Sequence, residues 1–286
     1  MKASNVNPDI LKQLLEKNPE KEELVKKKFP KYIDWVEGKD FPTNRQLIKL
    51  SKIFNIPFIY FFSEKLLDIT YTIPHYSSIE NEKFIPSDEL MNLLFQVKLM
   101  QNWTKKFLTK HNMITVSYWG KYKNNYDLEE VVKKIKNILN IYKNQTKLEL
   151  KTLIKYLEKN DIIVKDKDFE NTKKESSFIY EFTGLVLYDE VVPVVFVNGN
   201  DNIFVKILSS ILSLIFVLIG ESASFDLRDF KYPTNELEEF CHKCAKEIIE
   251  PIEYFEEGTL FPKIKRNKIN FVELDKKTYL EIMNQK

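Results

Sequence analysis

Apolar and polar residues alternate at helical spacing through the first part of the chain. The segment VNPDILKQLLEK contains the pair Asn7-Pro8 near its beginning, and such a pair favours the start of a helix. KEELVKKKF has helical spacing at Leu24, Val25 and Phe29, and NRQLIKLSKIF has it again after the helix-breaking FPT. This pattern predicts a compact helical domain over residues 1–66.

Residues 67–144 begin with a stretch of little periodicity, DITYTIPHYSSIENEKFIP, which we expect to connect two folded parts. SDELMNLLFQVKLMQNWTKKFLTKH then predicts a long amphipathic helix. DLEEVVKKIKNILNIY predicts another, with Asp127 as its N-cap and Glu130 as the capping-box partner. We expect the two helices to form a bundle that connects the ends of the chain.

Residues 145–286 contain both helical and strand patterns. TKLELKTLIKYLEKN predicts a helix, whereas DIIVKD, SSFIYEFTGLVLYD and VPVVFVN predict strands because they are rich in β-branched and aromatic residues. The uncharged run at 207–219 and the segment NELEEFCHKCAKEIIEP predict two further helices, and DKKTYLEIM predicts a terminal one. The expected fold class is α+β, mostly helical, with a small β-sheet in this last part.

Composition limits the classes of function. A net charge of +2 gives no overall basic field toward nucleic acid or anionic membranes. The apolar run at 207–219 is shorter than the ~20 residues that span a bilayer, so we expect a buried helix and no membrane partner. The polar N-terminus does not resemble a signal peptide, and the cysteine pair Cys241 and Cys244 argues against a disulfide scaffold. We expect a cytoplasmic protein.

The segment FPKYIDWVEGKDFPTNRQLIKLSKIFNIPFIYFF resembles the Xre-type helix-turn-helix domain. The residues that support the resemblance are Trp35, Gly38, Pro42, Thr43, Gln46 and Leu47. Such a domain places the start of its second helix in the major groove of DNA. Here that helix is expected near Pro30, and its start lacks polar base-reading side chains, so docking of a protein competes with DNA binding. The candidate DNA contacts are Lys31, Tyr32, Lys39 and Arg45.

The last part of the chain resembles the ImmA/IrrE family of zincin-like metallopeptidases. In that family a strand ending in a Phe-Val-Asn-like triplet precedes a helix with the motif HExxH, which often closes with Gly-Glu-Ser, and a later helix supplies a glutamate. Here VPVVFVN, the triplet at 220–222 and Glu238 stand at these places. The resemblance implies a helix-turn-helix domain at 1–66, a helical connector at 67–144 and a zincin-like domain at 145–286.

The zinc-binding motif of that family is missing. Counted back from Gly220, its five positions hold Leu212, Ser213, Leu214, Ile215 and Phe216. In HExxH, two imidazoles one helical turn apart hold zinc, and the glutamate takes a proton from zinc-bound water. Leucine and phenylalanine have no lone pair to donate. We therefore expect a pseudo-metallopeptidase without catalytic residues and without zinc, although the family implies that cofactor.

An alternative hypothesis retains a metal site. Glu238, Cys241 and His242 stand at i, i+3 and i+4 of the later helix, and a carboxylate, a thiolate and an imidazole are credible zinc ligands. A site rebuilt on these residues would make the chain an active peptidase. A structural role for a buried cysteine and a histidine is the competing interpretation.

Active members of the family cleave a partner repressor in stress responses or in the control of mobile elements, and relatives occur in toxin–antitoxin loci. By that resemblance, we expect a regulatory protein that binds a protein partner (a repressor, a toxin or a phage or host factor) through its degenerate cleft. The strand at 192–198, with Val194, Phe196 and Asn198, is expected to be exposed there and to pair with an extended peptide. The alternative is a DNA-binding repressor or antitoxin of a mobile element, with the zincin-like domain forming a homodimer.

Overall fold

The computed structural model of the chain describes residues 3, 5–54, 56, 58–62, 73–76, 87–114, 119–123, 126–142, 144–165, 181–228, 230–233, 235–256 and 274–285. These residues form a mixed helix–sheet fold that groups into two compact units. The described residues of Met1–Tyr71 and Asp88–Val97 form the first unit, and those of Thr72–Ser87 and Lys98–Lys286 form the second. The range expected to be a connector, 67–144, is divided between the two units.

The first unit is helical, as its sequence pattern predicts. Its elements are α1 (Pro8–Lys17), α2 (Glu22–Lys28), α3 (Tyr32–Val36) and α4 (Asn44–Phe54), with 3₁₀ turns at Pro19–Lys21 and Phe58–Phe62, and the beginning of α5 (Asp88–Lys110). Asn7 caps α1, because its side-chain oxygen accepts the amide of Asp9 at 3.0 Å. Tyr32 and Trp35 of α3 lie in the core. The second helix of the expected helix-turn-helix, predicted to begin near Pro30, corresponds to α3, which begins at Tyr32.

The second unit combines helices with short strands. In chain order, after β1 (His75–Tyr76) and the remainder of α5, its elements are α6 (Leu128–Ile138), β2 (Lys147–Glu149), α7 (Leu150–Lys159), β3 (Ile163–Lys165), β4 (Gly184–Leu187), β5 (Val194–Val197), α8 (Ile203–Ile219), β6 (Ala223–Phe225), α9 (Glu236–Ile249), β7 (Tyr254–Glu256) and α10 (Lys276–Met283). Asp127 caps α6 as predicted, since its carboxylate accepts the amide of Glu130 at 2.8 Å. The helix α6 packs against α8 and α9.

Five strands form one sheet in the order β1-β6-β4-β5-β3. The strand β4 is antiparallel to both β5 and β6, whereas β1 pairs with β6 and β3 pairs with β5 in parallel. A second, two-stranded sheet joins β2 and β7 in parallel. The sheet of five strands supports α8 on one face.

One local prediction is wrong. Residues Lys147–Glu149 belong to the strand β2 rather than to the predicted helix, which begins only at Leu150. Pairing with β7, for example Leu148 opposite Phe255, overrides the local helical preference. In the stretch at 67–85, which was expected to connect two folded parts, His75 and Tyr76 form β1. Partners distant in the sequence define both short strands.

The helix α8 is the centre of the second unit. Asn202 caps its start by accepting the amide of Val205 at 2.9 Å, and Gly220 ends it in the left-handed region with φ of 80°. The sheet strands β4 and β5 and the helices α7 and α9 surround it, so that every residue from 204 to 219 is buried. Within the part of the chain that the structure describes, no helix combines the length and the apolar character needed to cross a bilayer.

Candidate functional site

The five positions of the expected zinc motif lie inside the core of the second unit. Leu212, Ser213 and Phe216 of α8 are all buried. Leucine and phenylalanine offer no donor atom to a metal, and the Ser213 hydroxyl finds no hydrogen-bond partner within the described part of the chain. The residues at the place where the family binds zinc therefore do not fit a zinc ion.

An aromatic stack occupies the side of α8 where the second histidine of the motif would stand. The ring of Phe216 lies between Tyr76 of β1, at 5.2 Å between centroids, and Phe225 of β6, at 5.9 Å. Both contacts are stacked, with interplanar angles of 27° and 18°. Gly184 of β4 makes room for this arrangement, because a Cβ atom there would collide with the Phe225 ring. The stack fills this position with hydrophobic contacts.

Glu238 lies close to this stack, on the first turn of α9. The side chain of Asn235 caps the helix by accepting the amides of Leu237 and Glu238. The Glu238 side chain is buried, and burial raises its pKa to about 7. The carboxyl group that the resemblance assigns to zinc is therefore partly protonated near neutral pH.

Cys241 follows one turn later on α9. Its thiol is fully buried, and burial, together with neighbouring Cys244 and Glu238, raises its pKa well above the usual value. These surroundings are those of a small side chain in the core, which is the structural interpretation of this cysteine.

His242 packs toward α10. Its Nδ1 atom lies 3.2 Å from the hydroxyl of Tyr279, and that hydroxyl donates to the backbone oxygen of His242 at 3.1 Å. The rings of Phe230 and His242 are 4.6 Å apart, and burial lowers the pKa of the imidazole to about 3. Among the described residues, no three His, Cys, Asp or Glu side chains are grouped so that they could hold a metal. The hypothesis of a site rebuilt on Glu238, Cys241 and His242 gains no geometric support.

The strand β5 does not have the exposed edge that was expected for partner binding. It lies between β4 and β3, and both of its edges are already hydrogen bonded. Val194, Phe196 and Asn198 are buried, and the Asn198 amide donates to the backbone oxygen of Phe182 at 3.0 Å. The expectation that a peptide pairs with this strand is wrong, because no backbone donors or acceptors remain for it.

A partly exposed surface lies beside Glu238 and Cys241, and the sequence analysis did not identify it. It consists of Tyr76, Tyr126, Glu221 and Phe240, and we call it the Tyr126 patch. The rings of Tyr126 and Phe240 are 5.2 Å apart. Glu238, Cys241, Glu221 and Tyr126 all contribute, after burial, to a pKa of about 12 at Tyr76, which shows that these groups are neighbours. In the sequence, Tyr76 and Tyr126 lie in stretches without a periodic pattern, so no spacing signals a common site.

Three of the four candidate DNA contacts are buried or paired with an acid within the first unit. Tyr32 is fully buried, and its hydroxyl donates to the backbone oxygen of Leu11 at 2.8 Å, so this residue is unavailable and its assignment as a DNA contact is wrong. Lys31 forms an ion pair with Asp40 at 3.2 Å. Lys39 likewise pairs with Glu37, at 2.6 Å, whereas Arg45 is exposed on α4. Paired lysines contribute less positive potential toward a phosphate backbone.

Comparison with known proteins finds no match to this chain, whether among family models, curated sequences or solved structures. Its function must therefore be inferred from the chemistry of its own residues.

Proposed function

We propose that this chain is a non-catalytic regulatory protein whose second unit is a degenerate zincin-like domain that binds a protein partner. The observation that supports the proposal best is the aromatic stack on Phe216. Leu212 and Phe216 stand where the ImmA/IrrE resemblance requires two zinc ligands, and neither has an atom that binds a metal. Packing of Phe216 between Tyr76 and Phe225 stabilises the unit without zinc.

The Tyr126 patch is the surface that we assign to the partner. It combines half-buried and exposed aromatic rings with the carboxylate of Glu221, beside the buried Glu238. Aromatic residues are enriched in protein interfaces because they bury a large area and lose little conformational entropy. The adjacent carboxylates favour a partner segment that contains both apolar and basic side chains.

The first unit supports a protein partner better than an operator site. Its short second helix, α3, exposes Ile33, which offers no hydrogen bond to a base edge, and the exposed Glu37 directly after the helix would repel phosphates. Ile33 is 43% exposed, and an exposed apolar side chain on this helix is compatible with protein docking. We propose that this unit, too, contacts protein.

Capture from lysate of the source cells tests the proposal. Immobilised wild-type protein is compared with a Tyr126→Ser, Phe240→Ser double variant, and retained proteins are identified by mass spectrometry. We expect a protein retained by the wild type and lost with the variant, because the patch loses its apolar contacts. The matched control is Tyr142→Ser with Tyr254→Ser, since these tyrosines are 68% and 64% exposed and lie outside the patch.

The same experiment distinguishes binding from proteolysis. The partner should remain intact on prolonged incubation with the wild type in the presence of zinc. Cleavage by the wild type but not by Glu238→Gln would contradict the non-catalytic part of the proposal. Equal capture by both double variants and the wild type would contradict the assignment of the Tyr126 patch.

A further inference from the structure

The last turns of α5 and the turn after them expose a row of large apolar side chains. The α5 ridge consists of Trp103, Phe107, His111, Met113 and Ile114. Trp103 is 66% exposed, Phe107 is 43% exposed, and Met113 and Ile114 are 54% and 44% exposed. The rings of Trp103 and Phe107 are stacked with centroids 5.6 Å apart, and the His111 ring is tilted against Phe107 at 4.5 Å. A contiguous apolar surface of this kind marks a binding site.

The opposite side of this helix is fixed to the second unit. The Gln101 amide donates to the backbone oxygens of Leu187 and Val192 at 3.1 and 2.7 Å. Lys105 forms ion pairs with Asp189 and Glu190. These contacts keep the α5 ridge facing solvent on a rigid support.

The α5 ridge belongs to a basic stretch of the sequence. The sequence from residue 90 to residue 126 contains no Asp or Glu, and its basic residues are Lys98, Lys105, Lys106, Lys110, Lys121 and Lys123. Lys106 and Lys110 are exposed and stand one residue before Phe107 and His111. The acids Asp189 and Glu190 approach this region, but they pair with Lys105. The ridge therefore complements an anionic surface.

The geometry favours lipid over the other anionic partners and over a second copy of the chain. Trp103 stacks on the Phe107 ring and His111 lies tilted against it, so these rings contact one another and do not form a row of separate platforms for nucleic-acid bases. A second copy would oppose lysines to lysines. The ridge ends in the exposed apolar side chains of Met113 and Ile114, in the turn after α5, which suits insertion into a soft surface better than a fixed polar contact.

We propose that the α5 ridge docks the protein on an anionic lipid surface. Trp103, Phe107, Met113 and Ile114 enter the boundary between headgroups and acyl chains, where tryptophan is favoured. Lys106 and Lys110 contact the anionic headgroups while their alkyl stems lie along the apolar surface. This contact is peripheral, so it needs no apolar run of the length that a spanning helix has. The inference does not depend on the proposed partner of the Tyr126 patch.

Vesicle binding by the full chain tests the inference, and Trp103 supplies the signal. Of the three tryptophans, Trp35 and Trp119 are buried, so a change of solvent exposure reports on Trp103. Vesicles of equal parts phosphatidylglycerol and phosphatidylcholine should shift the tryptophan fluorescence emission of the protein to shorter wavelength. The protein should also float with these vesicles in a density gradient. Pure phosphatidylcholine vesicles should do neither, and added salt should release the protein.

Three variants locate the contact. Trp103→Ala with Phe107→Ala should abolish flotation, and Lys106→Gln with Lys110→Gln should lower the partition coefficient about tenfold or more. Tyr142→Ala with Tyr254→Ala is the control for exposed aromatic residues elsewhere, and it should float like the wild type. The lysine variant keeps the test decisive even if the aromatic variant does not fold, which circular dichroism establishes.

Three outcomes would overturn the inference. The first is no flotation of the wild type with the anionic vesicles, and the second is equal flotation with pure phosphatidylcholine. The third is tight binding of a single-stranded oligonucleotide that Trp103→Ala abolishes, without any binding of vesicles. That last result would assign the α5 ridge to nucleic acid.

Discussion

At the scale of single residues, the buried carboxyl group of Glu238 should make stability depend on pH. Burial raises its pKa from 4.5 to about 7, so between these values the folded state keeps a proton that the unfolded chain releases. The free energy of unfolding therefore loses up to about 3 kcal/mol as the pH rises through this window. Glu238→Gln, which cannot ionise, should gain that amount over the wild type between pH 4.5 and pH 8.

Urea unfolding of both proteins at these two pH values measures the effect. Other groups, including neutral His242 with its lowered pKa, titrate equally in both proteins and cancel in the difference. Glu236→Gln is the matched control, because Glu236 is exposed on the same turn of α9. A gain for Glu238→Gln that is the same at both pH values would contradict the prediction.

Two serines of α8 form a second comparison at this scale. The Ser213 hydroxyl is buried without a hydrogen-bond partner in the described part of the chain, whereas the Ser210 hydroxyl donates to the backbone oxygen of Lys206 at 2.8 Å. Ser213→Ala should raise the free energy of unfolding by about 1 kcal/mol, because it removes an unsatisfied polar group. Ser210→Ala should lower it by about 1 kcal/mol. Thermal or chemical unfolding of the two variants gives both values, and equal signs would show that the hydroxyls have similar surroundings.

At the scale of elements, the segment 119–123 closes the C-terminal end of α8. The amides of Gly120 and Tyr122 donate to the backbone oxygens of Val217 and Leu218, which belong to the last turn of the helix, and Val217 also accepts the amide of Gly220. The approach is close, because a Cβ atom at Gly220 would lie 3.0 Å from the Cα atom of Gly120. Docking of the two elements therefore requires glycine.

Gly220→Ala should loosen this docking. An alanine here pays the cost of the left-handed φ of 80°. The contact of its Cβ atom with the Gly120 backbone should lower the free energy of unfolding by about 1–3 kcal/mol more. In hydrogen exchange, the amides of Gly120 and Tyr122 should lose protection about tenfold or more. Gly38→Ala is the control, because Gly38 also has φ of 70° but its Cβ position meets only the Pro8 side chain, at an ordinary contact distance of 3.9 Å, and it should leave these two amides unchanged.

At the scale of the whole molecule, the zinc content of the purified protein tests the proposed loss of metal binding and catalysis. Purified, tag-free protein should contain far less than one zinc per chain, since Leu212 and Phe216 replace the two imidazoles. Glu238→Gln should give the same value, measured by mass spectrometry of the elements. About one zinc per chain, lost in Glu238→Gln, would reveal a metal site and would contradict the proposed function.

The sequence predicts some features of this molecule well and others poorly, for physical reasons. Helices with a side-chain cap, such as α1 behind Asn7 and α6 behind Asp127, are predictable because the signal is local. The strands β1, β2, β6 and β7 are too short to show a period, and distant partners define them. The burial of β5 had a visible signal, since Val194–Val197 is uninterruptedly apolar, as in strands covered on both faces.

For the candidate site, the sequence predicts which residue types stand at the motif positions, but it does not predict which side chains surround them. The absence of metal ligands from α8 follows directly from the residue types at Leu212 and Phe216. The contact of Phe216 with Tyr76 depends on parallel pairing between β1 and β6, which are about 150 residues apart, and no local pattern encodes such a pairing.

The pairing of β1 with β6 has a practical consequence for producing parts of this protein. An expressed fragment that starts at residue 145 would lose β1, Gln101 and the 119–123 segment together. It would leave the amides of Ser224 and Asp226, which donate to the backbone oxygens of Pro74 and Tyr76, on a bare strand edge. Such an edge recruits other chains, so the fragment should aggregate in the cell. Fragments for biochemical work should therefore retain the residues from 73 onward.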